Sequence, residues 1–155
     1  LEEIGSPQSL ALRGTVAVAN SKLAYRRYQE LVEGEPFAAL RARGARVQRG
    51  LWASTRPKNP DYRDVLYVEE LIGPDTVNTL PPQTVEAFRD HGQVRPTLVE
   101  GVGEAEQLLK SLSDLGVDLD AITADLQREG VEKFAQPFDR LLATLEEKRT
   151  ALVPA

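Results

Sequence analysis

Hydrophobic residues recur at helical spacing along most of the chain, and this pattern predicts seven helices and two short segments that are not helical. Ser6-Pro7 predicts the start of the first helix, because proline suits the first helical position. That helix is predicted to end at Gly34, and its apolar face holds Leu12, Val16, Ala19, Leu23 and Leu31. A shorter helix is predicted over residues 35–43, closed by Gly44.

The two interruptions predict β-strands. The segments 47–54 and 75–80 are short and contain Val, Leu, Trp or Thr, and their hydrophobic residues do not recur at helical spacing. Residues 55–60 predict a loop, residues 61–71 a helix, and a further helix begins at Pro82 and continues through Phe88. Because alternating strands and helices indicate a parallel sheet, the fold class is α/β. Two strands cannot close a barrel, so the pattern indicates part of a larger α/β protein.

The rest of the chain is predicted to be helical. A helix over residues 104–115 carries one apolar stripe of Leu108, Leu109, Leu112 and Leu115. Asp118 is expected to cap the next helix, which ends at Gly130. Its inward-facing residues are predicted to be Leu119, Ile122 and Leu126. A last helix over residues 131–152, kinked or restarted at Pro137, is expected to turn inward Phe134, Phe138, Leu141, Leu142 and Leu145.

Composition removes several classes of function. A net charge of −5 and a pI near 5.0 argue against nucleic-acid binding. No apolar run is long enough to span a membrane, which makes a membrane partner unexpected. Without cysteine there is no disulfide or thiolate chemistry, and a single histidine leaves no basis for a histidine metal cluster. No metal or cofactor is expected. The chain begins at Leu1 and has no methionine, so we expect that an upstream part is absent.

Three stretches carry a resemblance to a known family: LRGTVAVANSKLAY (12–25), RVQRGLWASTRPKNPDYRDVLYVEELIGPDTVNTLPP (46–82) and AFRDHG (87–92). The chain resembles bacterial-type transaldolases, which adopt a (β/α)8 TIM barrel. The resemblance implies that residues 1–155 are the C-terminal part of one barrel domain, with residues 47–54 as strand seven and 76–80 as strand eight. It implies an incomplete barrel portion, predominantly helical with two short parallel strands, and a helical tail over 93–155 that packs outside the barrel.

The family's chemistry is the transfer of a dihydroxyacetone unit between sugar phosphates through a lysine Schiff base. The resemblance implies a cytoplasmic enzyme of the pentose phosphate pathway whose reactive lysine lies on strand four, upstream of Leu1. None of the chain's own lysines lies in an apolar strand, and Lys22 in mid-helix is a poor candidate. We therefore expect this chain alone to be inactive. Its expected partners are sugar phosphates and either the missing N-terminal part of the barrel or further copies of itself.

The phosphate end of such a site would remain. Barrel enzymes often bind phosphate with the loops after strands seven and eight, so the resemblance implies phosphate-binding roles for Ser54, Arg56 and Lys58. The family usually has Gly-Thr or Ser-Thr where this chain has Arg56-Pro57, which leaves open whether Arg56 or Lys58 binds the phosphate. Asn78 and Thr79 end the second strand and are expected to face the barrel mouth, as possible substrate-binding residues.

Other prominent residues have simpler explanations. Trp52 is expected in the core, and His91 at a helix end suits the helix dipole rather than catalysis. Two alternative functions stay open: a stand-alone α-helical interaction module and another Schiff-base sugar-phosphate aldolase. A helical module has no use for a strand followed by a cationic, proline-rich loop. The aldolase would differ only in acceptor chemistry, which lies upstream.

Overall fold

A computed structural model describes residues 1–152 of the chain. They form two compact units, the first over Leu1–Leu115 and the second over residues 116–152. The first unit holds six helices and a two-stranded sheet among its described residues, and the second holds one long helix. The predicted α/β composition, helical with two short parallel strands, is confirmed.

The first unit begins with α1 (Pro7–Ala11), α2 (Val16–Glu33) and α3 (Glu35–Ala42). The hydroxyl of Ser6 caps α1 by accepting from the backbone N–H of Ser9 at 3.1 Å. The prediction of one helix from Ser6 to Gly34 is wrong, because a turn with Gly14 at φ 77° separates α1 from α2. A Cβ on Gly14 would lie 3.3 Å from the ring of Tyr62, so both backbone and packing favour glycine there.

Two strands of three residues each, β1 (Gly50–Trp52) and β2 (Thr76–Asn78), form the sheet. They are parallel, with Gly50 opposite Thr76 and Trp52 opposite Asn78. Both are shorter than predicted. The helix between them, α4 (Leu66–Glu70), is also shorter than the predicted 61–71. The Oδ1 of Asn59 accepts from the N–H of Asp61 at 3.0 Å, a turn that competes with helix formation at this point.

After β2 follow α5 (Pro82–His91), a 3-10 turn (Thr97–Val99) and α6 (Val102–Asp114). Helix α6 packs against α2, and the 3-10 turn packs against α2 and α4. Of the predicted leucine stripe on α6, Leu112 is fully buried and the other leucines are half-buried. The two helices predicted in this region, one beginning at Pro82 and one over residues 104–115, are confirmed.

The core of this unit lies where α2, the end of α4 and the 3-10 turn meet. Tyr25, Leu71 and Leu98 form its buried cluster, and Tyr28 and Trp52 pack against them. The Tyr25 hydroxyl donates to the Pro74 carbonyl at 2.8 Å, which satisfies its one buried polar group. The buried face of α2 is therefore Val18, Ala19 and Tyr25, and Leu31 of the predicted face is exposed.

The second unit consists of α7 (Leu119–Leu152), capped as predicted by Asp118, whose Oδ1 accepts from the N–H of Ala121 at 2.9 Å. The predicted helix end at Gly130 is wrong, and so is a restart at Pro137, since the helix runs through both residues; a kink at Pro137 stays a prediction. Its surroundings of strong helix formers keep the segment helical despite these breakers. The residues predicted to face inward are not buried; Phe134, for example, is 86% exposed. Among residues 1–152, no helix has the length and apolar character to cross a membrane.

Candidate functional site

The candidate site lies at the carboxyl ends of the two parallel strands. After Trp52 the backbone turns sharply, because Ser54 adopts φ 58°, a left-handed conformation that is uncommon outside glycine. Strained backbone of this kind is found preferentially at binding and catalytic sites. At this turn two consecutive residues, Ala53 and Ser54, are both exposed, so the alternation of exposed and buried side chains shifts by one residue. Thr55 is therefore only 4% exposed, and Arg56 after it is exposed.

Side-chain and backbone hydrogen bonds join the two strand ends. The Thr55 hydroxyl donates to Oδ1 of Asn78 at 2.9 Å. The backbone N–H and the hydroxyl of Thr79 both donate to the Trp52 carbonyl, at 2.9 Å and 3.2 Å. The last residue of β1 and Thr55 in the following loop are thus each attached to the end of β2.

The loop 54–58 presents two cations to solvent. Arg56 and Lys58 are exposed, and neither has a carboxylate within 4.0 Å among residues 1–152. Most of the other arginines and lysines near helices are paired, as Arg26 is with Glu106. Two exposed cations without an internal partner are available to an anion. Ser54, Arg56 and Lys58 lie in the loop after β1, and their phosphate-binding role stays a prediction.

A cleft of about 250 Å³ lies beside this loop, between α2 and the region of α4. Its walls are mostly apolar: Ala17, Val18, Ser21, Trp52, Ala53, Ser54, Thr55, Tyr67 and Leu71. Burial, and to a lesser extent the nearby Tyr62, raises the pKa of Tyr67, so its phenol stays neutral. Trp52 packs against the core as predicted, and its indole N–H is buried with no hydrogen-bond partner among the described residues.

Lys22 has a largely buried side chain, and its contacts stabilise the fold. Its side chain is 12% exposed, its amine donates to the Glu100 carbonyl at 3.1 Å, and it lies 3.6 Å from the Glu70 carboxylate. These contacts join α2 to α4 and to the residues before α6. An amine occupied in this way is not available as a nucleophile.

His91 joins the end of α5 to the segment before α4. Its Nε2 lies 2.8 Å from Oδ1 of Asp64 and its Nδ1 lies 3.1 Å from Oδ2 of Asp90. These two hydrogen bonds raise the pKa of His91, and the bond to His91 lowers the pKa of Asp64.

Nearby, Arg63 donates to both oxygens of Glu69, which lowers the pKa of that carboxyl. No group of three or more acidic or histidine side chains in residues 1–152 is arranged to hold a metal ion.

The sequence did not single out Thr55. It lies between two predicted site residues, and nothing in the pattern distinguished a buried threonine from a solvated one in a proline-rich loop. A β-branched residue directly after a strand was the one available signal. The buried hydrogen bond to Asn78 depends on the turn at Ser54, and no feature of the sequence predicts that turn.

Comparison with known proteins gives consistent results. Residues 2–145 match the family model described as Transaldolase/Fructose-6-phosphate aldolase. The chain is 54% identical over 145 residues to a transaldolase of Thiobacillus denitrificans, covering 94% of this chain and 40% of that protein. It is 50% identical over 147 residues to transaldolase 2 of Nostoc sp., covering 94% of this chain and 39% of that protein.

A third relative, a transaldolase of Mycobacterium ulcerans, is 50% identical over 154 residues, covering 98% of this chain and 41% of that protein. The chain thus spans about 40% of the length of the curated relatives it matches. The family match over residues 2–145 includes both strand ends and the loop after β1 as well as the helices of the first unit. The resemblance inferred from residues 12–25, 46–82 and 87–92 is confirmed, and the chain belongs to the transaldolase/fructose-6-phosphate aldolase family.

Proposed function

We propose that this chain is the C-terminal portion of a cytoplasmic transaldolase of the pentose phosphate pathway and supplies the end of the active site that binds the substrate phosphate. The whole enzyme would transfer a dihydroxyacetone unit between sugar phosphates through a lysine Schiff base. Family membership and the names of the relatives support this proposal. The observation that carries the phosphate role is that Arg56 and Lys58, at the carboxyl end of β1, are exposed and have no carboxylate partner within residues 1–152.

The chemistry of a sugar phosphate fits this loop. A phosphate carries about two negative charges near neutral pH, so two cations can match it. The planar guanidinium of Arg56 can bind two phosphate oxygens at once, whereas the ammonium of Lys58 contributes a point charge. The exposed hydroxyl of Ser54 can donate a further hydrogen bond. In barrel enzymes the loops at the carboxyl ends of the last two strands commonly bind phosphate.

The carbon chemistry would belong to other residues of the complete enzyme. A Schiff base needs a lysine amine that is neutral near pH 7 and accessible to the ketose carbonyl. Lys22 is held by Glu70 and Glu100, while Lys110 and Lys133 are exposed and paired with carboxylates on their own helices. We therefore propose that the reactive lysine and the proton-transfer groups lie in the part of the relatives that this chain does not span.

The phosphate role can be tested in a complete enzyme. We suggest joining this chain to the preceding portion of the Thiobacillus denitrificans transaldolase, in place of the corresponding residues. Arg56→Ala with Lys58→Ala should raise KM for fructose 6-phosphate by about two to four orders of magnitude, since charged hydrogen bonds contribute about 1.5–3 kcal/mol each. The two single variants show which cation contributes more.

Arg49→Ala is the matched control, because Arg49 is an exposed arginine directly before the other end of β1. It should leave KM within about twofold, since screened surface charges have small effects. If the double variant behaves like Arg49→Ala, this loop is not part of the site.

We also propose that the helical tail, residues 93–155, packs on the outside of the complete barrel. Helix α7 presents an apolar face with Leu126, Val131, Phe134 and Phe138 exposed together, a surface larger than single exposed residues require. The remainder of the barrel is the proposed occupant. Analytical ultracentrifugation of the isolated chain should show self-association, and the same measurement on the complete enzyme should not show association through α7. An isolated chain that stays a monomer would contradict this proposal.

One second function has specific support, since the matching family description includes fructose-6-phosphate aldolase. Both enzymes would use the same phosphate loop, and they differ in whether an aldose acceptor takes up the three-carbon unit. Release of dihydroxyacetone from fructose 6-phosphate without an acceptor would favour the aldolase. Product formation that depends on an added aldose would favour the transaldolase.

A further inference from the structure

Thr55 and Asn78 form a link between the strand ends that the proposed chemistry does not use. Thr55 is buried, and its hydroxyl donates to Asn78 Oδ1 at 2.9 Å. Its two neighbours, Ser54 and Arg56, are exposed. A buried hydroxyl in the middle of an exposed loop fixes the position of the residues on either side of it, because the backbone between them is short.

The register of the sheet shows on which face this link lies. Asn78 is paired with Trp52, so the two side chains lie on the same face of the sheet. Trp52 packs against the core cluster of Tyr25, Leu71 and Leu98, which places Asn78 on the helix side of the sheet. Leu51, on the opposite face, is 58% exposed. The Asn78 side chain thus lies on the helix side of the sheet, where Thr55 contacts it, rather than in open solvent.

The backbone geometry makes this link necessary. Ser54 occupies a left-handed conformation that an L-residue adopts at a cost of about 1 kcal/mol or more. Such a conformation persists only where surrounding contacts hold it. On one side of Ser54, β1 is held by its ladder to β2; on the other side, the first side-chain contact is that of Thr55 with Asn78.

We propose that Thr55 and Asn78 are a pair of positioning residues that hold Ser54 and Arg56 in place to bind the substrate phosphate, and that Asn78 acts through Thr55 rather than by contacting the substrate. This inference rests on the proposed phosphate role of the loop. It assigns one function to two side chains, and so it predicts that removing either side chain has the same effect as removing both.

The test uses the complete chimeric enzyme described above. Thr55→Val keeps the shape of the side chain and removes the hydroxyl, and Asn78→Ala removes the acceptor. Each should raise KM for fructose 6-phosphate about three- to tenfold, as expected for one buried hydrogen bond, with little change in kcat. The double variant should be no worse than either single variant, because both remove the same interaction. Thr55→Ser retains the hydroxyl and should restore KM.

A second substrate separates positioning of the phosphate loop from general damage. With unphosphorylated fructose as donor, the Thr55 and Asn78 variants should match the parent enzyme, because the loop would have no phosphate to hold. Thr97→Val is the matched control: Thr97 is also a buried threonine, and its hydroxyl donates to the Glu69 carbonyl away from the loop. It should lower thermal stability without raising KM for the phosphorylated donor.

Each outcome supports or overturns the proposal. Additive losses in the double variant, or a larger loss for Asn78→Ala than for Thr55→Val, would show that Asn78 contacts the substrate directly. Equal losses with phosphorylated and unphosphorylated donors would show a role in folding alone. An unchanged KM in an active chimera would refute the link while leaving the proposed function intact. An inactive parent chimera would refute the proposed function, and this inference with it.

Discussion

Replacing Gly73 by alanine tests the packing of the core most directly. Gly73 follows the core residue Leu71, and a Cβ at this position would lie 2.7 Å from Cδ2 and 2.9 Å from Cβ of Leu98. Carbon atoms in contact are normally about 3.5–4.0 Å apart, so one side chain must move. Leu98 is 0% exposed, so its side chain cannot move without displacing its neighbours in the core. We therefore expect Gly73→Ala to lower the free energy of unfolding by about 1–3 kcal/mol, the usual effect of overpacking.

The assay is urea unfolding followed by the fluorescence of Trp52, the chain's single tryptophan, which packs against the same cluster. Leu98→Ala should lower the free energy of unfolding by about 2–5 kcal/mol through the cavity it leaves. In the double variant the close contact with Cδ2 is removed while the contact with the Cβ of residue 98 remains, so the overpacking is partly relieved and the combined loss should be smaller than the sum of the two. Gly103→Ala is the control, since a Cβ there would meet nothing within 4 Å and α6 should gain up to about 1 kcal/mol. Equal behaviour of the two glycine variants would refute the packing argument.

Three further predictions follow from individual contacts. His91 is the single histidine, so its NMR titration is unambiguous; its pKa should lie above the ordinary value and should fall in Asp64→Asn. Because the folded pKa is raised, the stabilisation from His91 is present below the unfolded-state pKa and is lost as pH rises through the folded value; an unshifted titration would contradict this. Tyr25→Phe should lower the free energy of unfolding by about 0.5–1.5 kcal/mol in the same urea assay, because the Pro74 carbonyl loses its donor. Borohydride treatment of the isolated chain with fructose 6-phosphate should give no covalent adduct by mass spectrometry, and an adduct would show that one of its own lysines forms the Schiff base.

The sequence predicted the type and order of nearly every helix and strand, because each carries a clear period or a strong terminal residue. The Ser6 cap, the Asp118 cap and the helix beginning at Pro82 were found from local chemistry alone. The errors arose where a single backbone conformation or a distant contact decides the outcome. The break at Gly14 has a positive φ, and a glycine there is also favoured by the ring of Tyr62, which is 48 positions further along the chain by residue number.

For the candidate site, the family resemblance identified the loop and its exposed residues, and the structure added the buried ones. Ser54, Arg56 and Lys58 could be named because charge and strand position are visible in the sequence. Thr55 could not, because its burial and its bond to Asn78 follow from the left-handed turn at Ser54. Whether a helix has a packing partner is also invisible in its own sequence: the apolar face of α7 was predicted to be covered, and it is exposed.

The proline inside α7 has a consequence for how this helix opens. Pro137 has no amide proton, so the carbonyl of Lys133, one turn earlier, receives no hydrogen bond from within the helix. Gly130, about two turns before Pro137, weakens the helix by about a further 1 kcal/mol relative to alanine. The segment between them should open more readily than either half, so its amides should exchange with deuterium first. A protease added at low concentration should cut α7 there and release its C-terminal half from the rest of the chain.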